Sequence, residues 1–336
     1  MKKLIDYYGR QIVYFRISLT DRCNFRCIYC SPSEKDFCFI KHQNILRFEE
    51  ILEIVRVAVD MGITKIRLTG GEPLVRKGVT DFIKQLNQIE TLEDISMTTN
   101  GYYLFDMAAS LKSAGLNRVN ISLDSLQKDK FKQVTGFDGL EKVLQGIDTS
   151  LQVGLTPVKI NVVLLKGIND NEIEDFIRLT VNKPLYVRFI ELMPTNHKLI
   201  QINKGLFISA QFIKEKMKRK YPDLKPVSME KGYGPAIYYQ LPGAKGMFGF
   251  VTAVSQHFCA GCNRIRLTAE GRLRPCLFSS REIELKEKLR QIPVNQLELR
   301  KELIRRCLEE AVHIKPFQHH IGRNNISEFD MSQIGG

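Results

Sequence analysis

The sequence predicts an α/β fold with a parallel sheet, in which a six-strand open barrel fits the count. Three observations carry this. Strand and helix patterns alternate six times between residues 12 and 192. The strands are short apolar runs, as strands covered by crossover helices should be. Residues with chemical potential recur just after each strand, as CIYC, GGEP, TTNG, LDS and ELMP. In a barrel those strand ends share one face, where active sites lie. An open doubly wound sheet shares the alternation, but neither G-x-G-x-x-G nor G-x-x-x-x-G-K-[ST] is present.

Taken in order, IVYFRISL at 12–19 reads as the first strand. Phe48, Ile51, Leu52, Val55, Ala58 and Val59 recur at helical spacing, and Gly62 supplies a C-cap. TKIRLT at 64–69 is the second strand, followed by Gly70-Gly71-Glu72-Pro73 and a helix over about 78–89. DISMTT is the third strand, with a helix at about 104–114 that Gly115 ends. RVNISLD is the fourth, with helices at about 127–134 and 139–152. PVKINVVLL is the fifth, with a helix at 171–180, and LYVRFIEL is the sixth. Beyond about residue 195 the alternation fails. Helices are expected at 207–219, 282–290 and 296–311, and IYYQL and GFVTAVS read as short strands around LPGAKG. The expected division is 1–195 and 196–336, without a flexible linker, so the second part should pack on the barrel.

Length and composition set the class. A chain of 336 residues, 43% hydrophobic and 26% charged, buries a large core and is neither disordered nor fibrous. No run approaches a membrane span and no signal peptide is evident, which points to the cytoplasm. Fifty Lys and Arg against 37 Asp and Glu give a net charge of +13. The plain reading is a basic surface; the sharper one is an anionic ligand.

Of the eight cysteines, six fall in two triplets: Cys23-x3-Cys27-x2-Cys30 and Cys259-x2-Cys262-x13-Cys276. Reduced cysteines so spaced point to metal. The first triplet has no histidine within ten residues, so it lacks a fourth ligand for a closed zinc site. Three thiolates on one loop suit a [4Fe–4S] cube with one iron left open. His257 could close the second triplet as a zinc site, so zinc and iron–sulfur both stand there. Cys38 and Cys307 read as ordinary apolar residues.

These residues resemble a known family. The first triplet, with Tyr29 before its third cysteine, is similar to the radical S-adenosylmethionine signature, and GGEP to that superfamily's methionine-binding motif. The second triplet in FCAGCNRIRLTAEGRLRPCLF, together with LPGAKG and the terminal IGG, resembles the GTP 3′,8-cyclases of molybdenum cofactor biosynthesis over residues 7–336. The resemblance implies a partial (βα)6 TIM-like barrel whose mouth a C-terminal α+β segment closes. It implies two [4Fe–4S] clusters, on Cys23, Cys27 and Cys30 and on Cys259, Cys262 and Cys276, and S-adenosylmethionine. The implied reaction takes hydrogen from C3′ of GTP and joins C3′ to C8, giving 3′,8-cyclo-7,8-dihydro-GTP. By position, Tyr29, Gly71, Ser122 and Met193 match S-adenosylmethionine contacts. Arg16, Arg67, Thr98, Lys159, Arg264, Ile265 and Arg266 match GTP contacts. Arg264, Arg266, Gly335 and Gly336 are the expected catalytic positions, and loss of Ile334 to Gly336 should abolish turnover. Implied partners are GTP, a reductase or other electron donor, cyclic pyranopterin monophosphate synthase receiving the product, and a second copy of the chain, with no membrane or nucleic acid.

Plainer readings stand beside these. Thr98, Ser122 and Met193 are residue types that usually pack, Gly70 and Gly71 could be only a turn, and Asp124 could be only a strand-end cap. Arg16, Arg67 and Lys159 are different, because a charge among apolar strand residues is costly unless it is paired. Ser31 stands where the family often has methionine. The alternatives are a peptide-modifying enzyme of the same superfamily and a zinc-stabilised RNA-binding protein.

Overall fold

Alternation within each strand sets the architecture. In β1 (Tyr14–Ser18), Phe15 and Ile17 are buried in the core while Arg16 lines an internal cavity. In β2 (Lys65–Thr69), Ile66 and Leu68 pack in the core and Arg67 lines the cavity. The same division holds in β3 (Asp94–Thr99), β4 (Arg118–Ser122), β5 (Val158–Leu164) and β6 (Leu185–Glu191). Side chains alternate across a strand, so one face is apolar against helices and the other polar toward the lumen. The structure is a computed structural model that describes residues 3–30, 39–194, 205–227, 234–319 and 331.

The helices between these strands are α1 (Phe48–Asp60), α2 (Val79–Leu86), α3 (Leu104–Ser113), α4 (Lys128–Thr135), α5 (Leu140–Gln152) and α6 (Ile173–Asn182). Each carries a buried apolar stripe, as Ile51, Leu52, Ile54, Val55 and Ala58 show in α1. Glu50 accepts a bond from the Arg47 N–H at 2.7 Å, satisfying a backbone donor at the start of α1. Strands β1 to β6 pair in sequence order, all parallel. The six-strand reading therefore holds.

The sheet does not end there. β9 (Met247–Val251) pairs parallel to β6, and β10 (Arg264–Leu267) pairs parallel to β1. The second part of the chain thus extends both edges of the barrel sheet, beyond its expected place at the mouth. β11 (Arg272–Arg274) and β12 (Ile283–Glu284) continue antiparallel past β10. β8 (Ile237–Tyr239) and β7 (Pro226–Val227) continue antiparallel past β9. At the β6–β9 seam the Phe189 and Phe250 rings lie 5.7 Å apart, with Tyr239 6.0 Å from Phe250. α7 (Ala210–Lys220), α8 (Lys286–Arg290) and α9 (Leu297–His313) complete the described helices. α9 packs on α1, where Arg300 makes a two-pronged pair with Glu53 at 2.7 and 2.6 Å.

Candidate active site

The lumen holds a cavity of about 910 Å³. It runs from the strand starts, at Lys65, Asp94 and Arg118, to the strand ends, at Gly70, Ser122 and Met193. Both cysteine triplets lie on its wall.

The first triplet sits on a loop that leaves β1 and is tied on three sides. Arg26 and Ile28 N–H groups donate to the carbonyls of Thr135 and Val134 at the end of α4, at 2.7 and 3.0 Å. Gly71 and Glu72 N–H groups donate to Thr20 and Arg22 carbonyls at 2.7 and 2.8 Å. A Cβ on Gly71 would stand 2.3 Å from the Arg22 carbonyl oxygen, so the glycine is required by this close approach, over and above any turn. Third, Tyr29 Oη donates to Asp124 Oδ2 at 2.6 Å, and Asp124 Oδ1 accepts from the Val163 N–H at 2.8 Å. Asp124 is therefore more than a cap, because it fixes the aromatic residue beside Cys30. Its carboxyl is pushed up to about 6 by burial, against the pull of the Tyr29 bond.

Glu72, in GGEP, is completely buried. It accepts from the Leu74 N–H, Thr99 Oγ1 and the Asn100 N–H at 3.0, 2.8 and 2.6 Å, bolting GGEP to TTNG. Asn100 in turn donates to Asn24 Oδ1 at 2.7 Å, beside Cys23.

The second triplet approaches from the other edge of the sheet. Cys259 and Cys262 frame a short turn entering β10, and Cys276 follows β11. Tyr14 pairs with Arg264 and Arg16 with Arg266, so the β1–β10 register carries this triplet to the barrel's lumen. Glu191, at the end of β6, accepts from the Val254 and Ser255 N–H groups at 2.8 and 2.9 Å and anchors the preceding loop.

The donor sets fit iron–sulfur clusters. Burial raises the Cys23 thiol to about 11, with Glu72 adding to it, and holds Cys27 well above its ordinary value. Thiolates persist in such a place only against bound positive charge. At Cys262, burial is outweighed by Arg264 and Lys315, which bring the thiol down to about 6. Among the described residues, no three His, Cys, Asp or Glu converge as the ligands of one ion do. His257 lines the cavity with the second triplet, its ring 5.3 Å from that of His319.

Between the triplets lies a belt of cations. Arg16 pairs with Arg67 and Arg266 across adjacent strands, Asn120 with Lys159, and Asn161 with Arg188. Arg67, Lys159, Arg188 and Arg266 are buried. Lys159 is pushed down to about 6, first by burial and then by Arg188, Arg118 and Arg67. Arg67 is lowered to about 10 by burial. The carboxylate within reach, Asp94, is already gripped by Arg118 at 2.8 and 2.6 Å. Arg67 Nε, Arg188 Nε, Thr98 Oγ1 and Asn161 Oδ1 are buried without a hydrogen-bond partner. Buried polar atoms without a partner are costly, and the donors among these, Arg67 Nε, Arg188 Nε and Thr98 Oγ1, suit an anionic group.

Most expected site residues meet here. Tyr29, Gly71, Ser122, Met193, Arg16, Arg67, Thr98, Lys159, Arg264 and Arg266 all line the cavity. Ile265 does not: its side chain is completely buried in the core, because alternation turns it away between the two arginines. Gly335 and Gly336 lie outside the described residues. The sequence reading missed Arg188, Lys65, Arg118 and Asn161. Arg188 carries the same signal as Arg16, a charge inside the apolar strand LYVRFIEL.

The partial barrel with a cysteine loop after its first strand defines the class. Residues 17–180 match the radical SAM superfamily, and residues 185–321 match the family described as Molybdenum Cofactor Synthesis C. The fold is shared with Streptococcus suis SuiB bound to S-adenosylmethionine, at a TM-score of 0.55 and 13% identity, over 80% of this chain and 61% of that one. The particular family follows from closer relatives. The chain is 48% identical to a GTP 3′,8-cyclase of Petrotoga mobilis, covering 99% of this chain and 100% of the relative. It is 49% identical to that of Thermodesulfovibrio yellowstonii, over 98% and 99%. The chain belongs to the GTP 3′,8-cyclase family, and so to the enzymes that use S-adenosylmethionine with an iron–sulfur cluster. Among the described residues no helix is long and apolar enough to cross a membrane.

Proposed function

We propose that this chain converts GTP to 3′,8-cyclo-7,8-dihydro-GTP in molybdenum cofactor biosynthesis, with one [4Fe–4S] cluster on each cysteine triplet and both facing one substrate cavity. The observation that carries this reading is the belt of buried cations between the two triplets. When bound, the first cluster and S-adenosylmethionine would supply the radical chemistry that hydrogen removal at C3′ of the ribose needs.

The chain's own residues position and exclude. Cys23, Cys27 and Cys30 hold the first cluster, and Cys259, Cys262 and Cys276 the second. Tyr29, Gly71, Ser122 and Met193 face S-adenosylmethionine at the strand ends. Arg16, Arg67, Lys159 and Arg188 take the triphosphate, where each charge-assisted bond contributes about 1.5–3 kcal/mol. Thr98 Oγ1 offers a further bond. Arg264 and Arg266 stand between the second triplet and the belt and orient the nucleotide there. The guanidinium groups are in place before GTP arrives, so little reorganisation is needed on binding. Selectivity rests on this fixed geometry, since the cofactor carries the hard chemistry. We read residues 1–195 as the S-adenosylmethionine part and 196–336 as the part bearing the second triplet, joined through one sheet. A reductase or other one-electron donor is needed, and the product goes to cyclic pyranopterin monophosphate synthase.

The test is anaerobic turnover by protein reconstituted with iron and sulfide, given S-adenosylmethionine and a strong reductant. The expected outcome is 5′-deoxyadenosine and a cyclised nucleotide, both dependent on GTP. Cleavage of S-adenosylmethionine without a GTP product would remove the substrate from this reading.

A further inference from the structure

Two further buried cations, Lys315 on the cavity wall and Arg10 behind it, converge on the backbone of the second cysteine triplet. Lys315, 3% exposed, follows α9. Its Nζ donates to the Arg264 carbonyl at 2.8 Å and the Pro275 carbonyl at 2.6 Å. Those carbonyls lie just after Cys262 and just before Cys276. Arg10, 8% exposed, comes from the opposite end of the chain. Its Nη1 donates to the Cys259 carbonyl at 2.7 Å and the Phe317 carbonyl at 3.0 Å, and its Nη2 to the Pro316 carbonyl at 2.7 Å. Asp6 holds the Arg10 Nε at 2.6 Å. All three cysteine-bearing segments are therefore gripped by one of two cations, and Arg10 also grips the two residues after Lys315.

Asp6 balances the charge of Arg10, but a structural cap would not explain the charge of Lys315. Burying an ammonium group costs several kcal/mol unless an anion balances it, on the order of the effective penalty per ion. Among the described residues no carboxylate forms an ion pair with Lys315. Its contacts lead instead to the two carbonyls that flank Cys262 and Cys276.

We propose that Lys315 and Arg10 are positioning residues of the second cluster, fixing the three cysteine segments in the arrangement that holds it, with the Lys315 ammonium adding positive charge beside it. The proposal rests on the reading that Cys259, Cys262 and Cys276 carry a cluster. It adds that the two chain ends, meeting at residues 10 and 315–317, assemble that site.

The experiment uses the full-length chain reconstituted with iron and sulfide. A background with Cys23, Cys27 and Cys30 changed to Ala isolates the second site. Lys315→Met, Arg10→Met and Arg10→Lys are made in that background and in the chain with all cysteines. Iron per chain, iron release to a chelator and the electron paramagnetic resonance spectrum of the reduced protein are measured, with circular dichroism to establish folding. Outer partners of metal ligands usually support about 10–100-fold in affinity. The expected result is a loss of second-site iron of that order in both Met variants, with a changed spectrum of whatever second cluster survives. First-triplet iron should not change, and Arg10→Lys should recover part of the loss. Folded Lys315→Met and Arg10→Met proteins with unaltered iron retention and spectrum would overturn the proposal. If Lys315→Met does not fold, the contrast between Arg10→Met and Arg10→Lys decides in the same way. A triple-Ala background that binds no cluster at all overturns the second-cluster reading, and this proposal with it.

Discussion

Arg188 shows how much one side chain can reveal. It is buried, its Nη2 donates to Asn120 Oδ1 at 3.0 Å, and its Nε has no partner. Arg188→Ala should weaken GTP binding about 10–100-fold, corresponding to about 1.5–3 kcal/mol of charge-assisted bonding. The melting temperature of the empty protein should not fall, because an uncompensated charge is removed. Calorimetric GTP titration beside a thermal melt checks both. Lys159 gives a second prediction, in protons. In the empty cavity it titrates at about 6, so it is largely neutral at pH 8. A bound triphosphate favours its charged form and raises that value. GTP binding at pH 8 should therefore take up a proton, and affinity should improve as pH falls toward 6. Titrations in buffers of different ionisation enthalpy measure the uptake, and Lys159→Met should abolish it. Arg16, Arg67 and Lys159 were legible in the sequence because a lone charge among apolar strand residues is costly. Arg188 carried the same signal unread. Ile265 turns its side chain into the core between the two arginines, because neighbours on a strand face opposite ways, and the run of matching positions in the sequence does not show that difference.

At the scale of elements, the cysteine loop depends on glycines that no side chain can replace. A Cβ at Gly71 would lie 2.3 Å from the Arg22 carbonyl oxygen and 2.6 Å from its carbon, both backbone atoms that cannot rotate away. Gly71→Ala should displace the loop, deplete iron at the first triplet and suppress S-adenosylmethionine cleavage. Gly205→Ala, where a Cβ meets nothing within 4 Å, should leave iron content unchanged. Iron assays on the two variants make the comparison. The six strands and their helices were readable because periodicity is a local property. β9 and β10 were seen as short strands or not at all. Their partners, β6 and β1, are fixed by long-range pairing that no local pattern encodes. The expected helix over 282–290 proved to be α8, Lys286–Arg290, preceded by β12. Leu273 pairs with Ile283 across β11 and β12, and that pairing overrides helix propensity in the first residues.

For the whole molecule, the net charge of +13 said only that an anion was a candidate partner. The fold shows where part of that charge gathers, in a lumen whose cations come from strands spread between residues 16 and 266. Both triplets reach that lumen because β10 returns to pair with β1, bringing Arg264 opposite Tyr14. Spacing identified each triplet but could not place the two in one cavity. That juxtaposition is the central claim, since it requires the ribose of GTP to lie between the two cysteine triplets, within reach of a radical formed at the first. The most direct measurement uses GTP deuterated at C3′, in a single anaerobic turnover, with mass spectrometry of the 5′-deoxyadenosine. The account predicts that deuterium passes into 5′-deoxyadenosine. Product formed with the deuterium still on the nucleotide, or label taken from another ribose position instead, would contradict it.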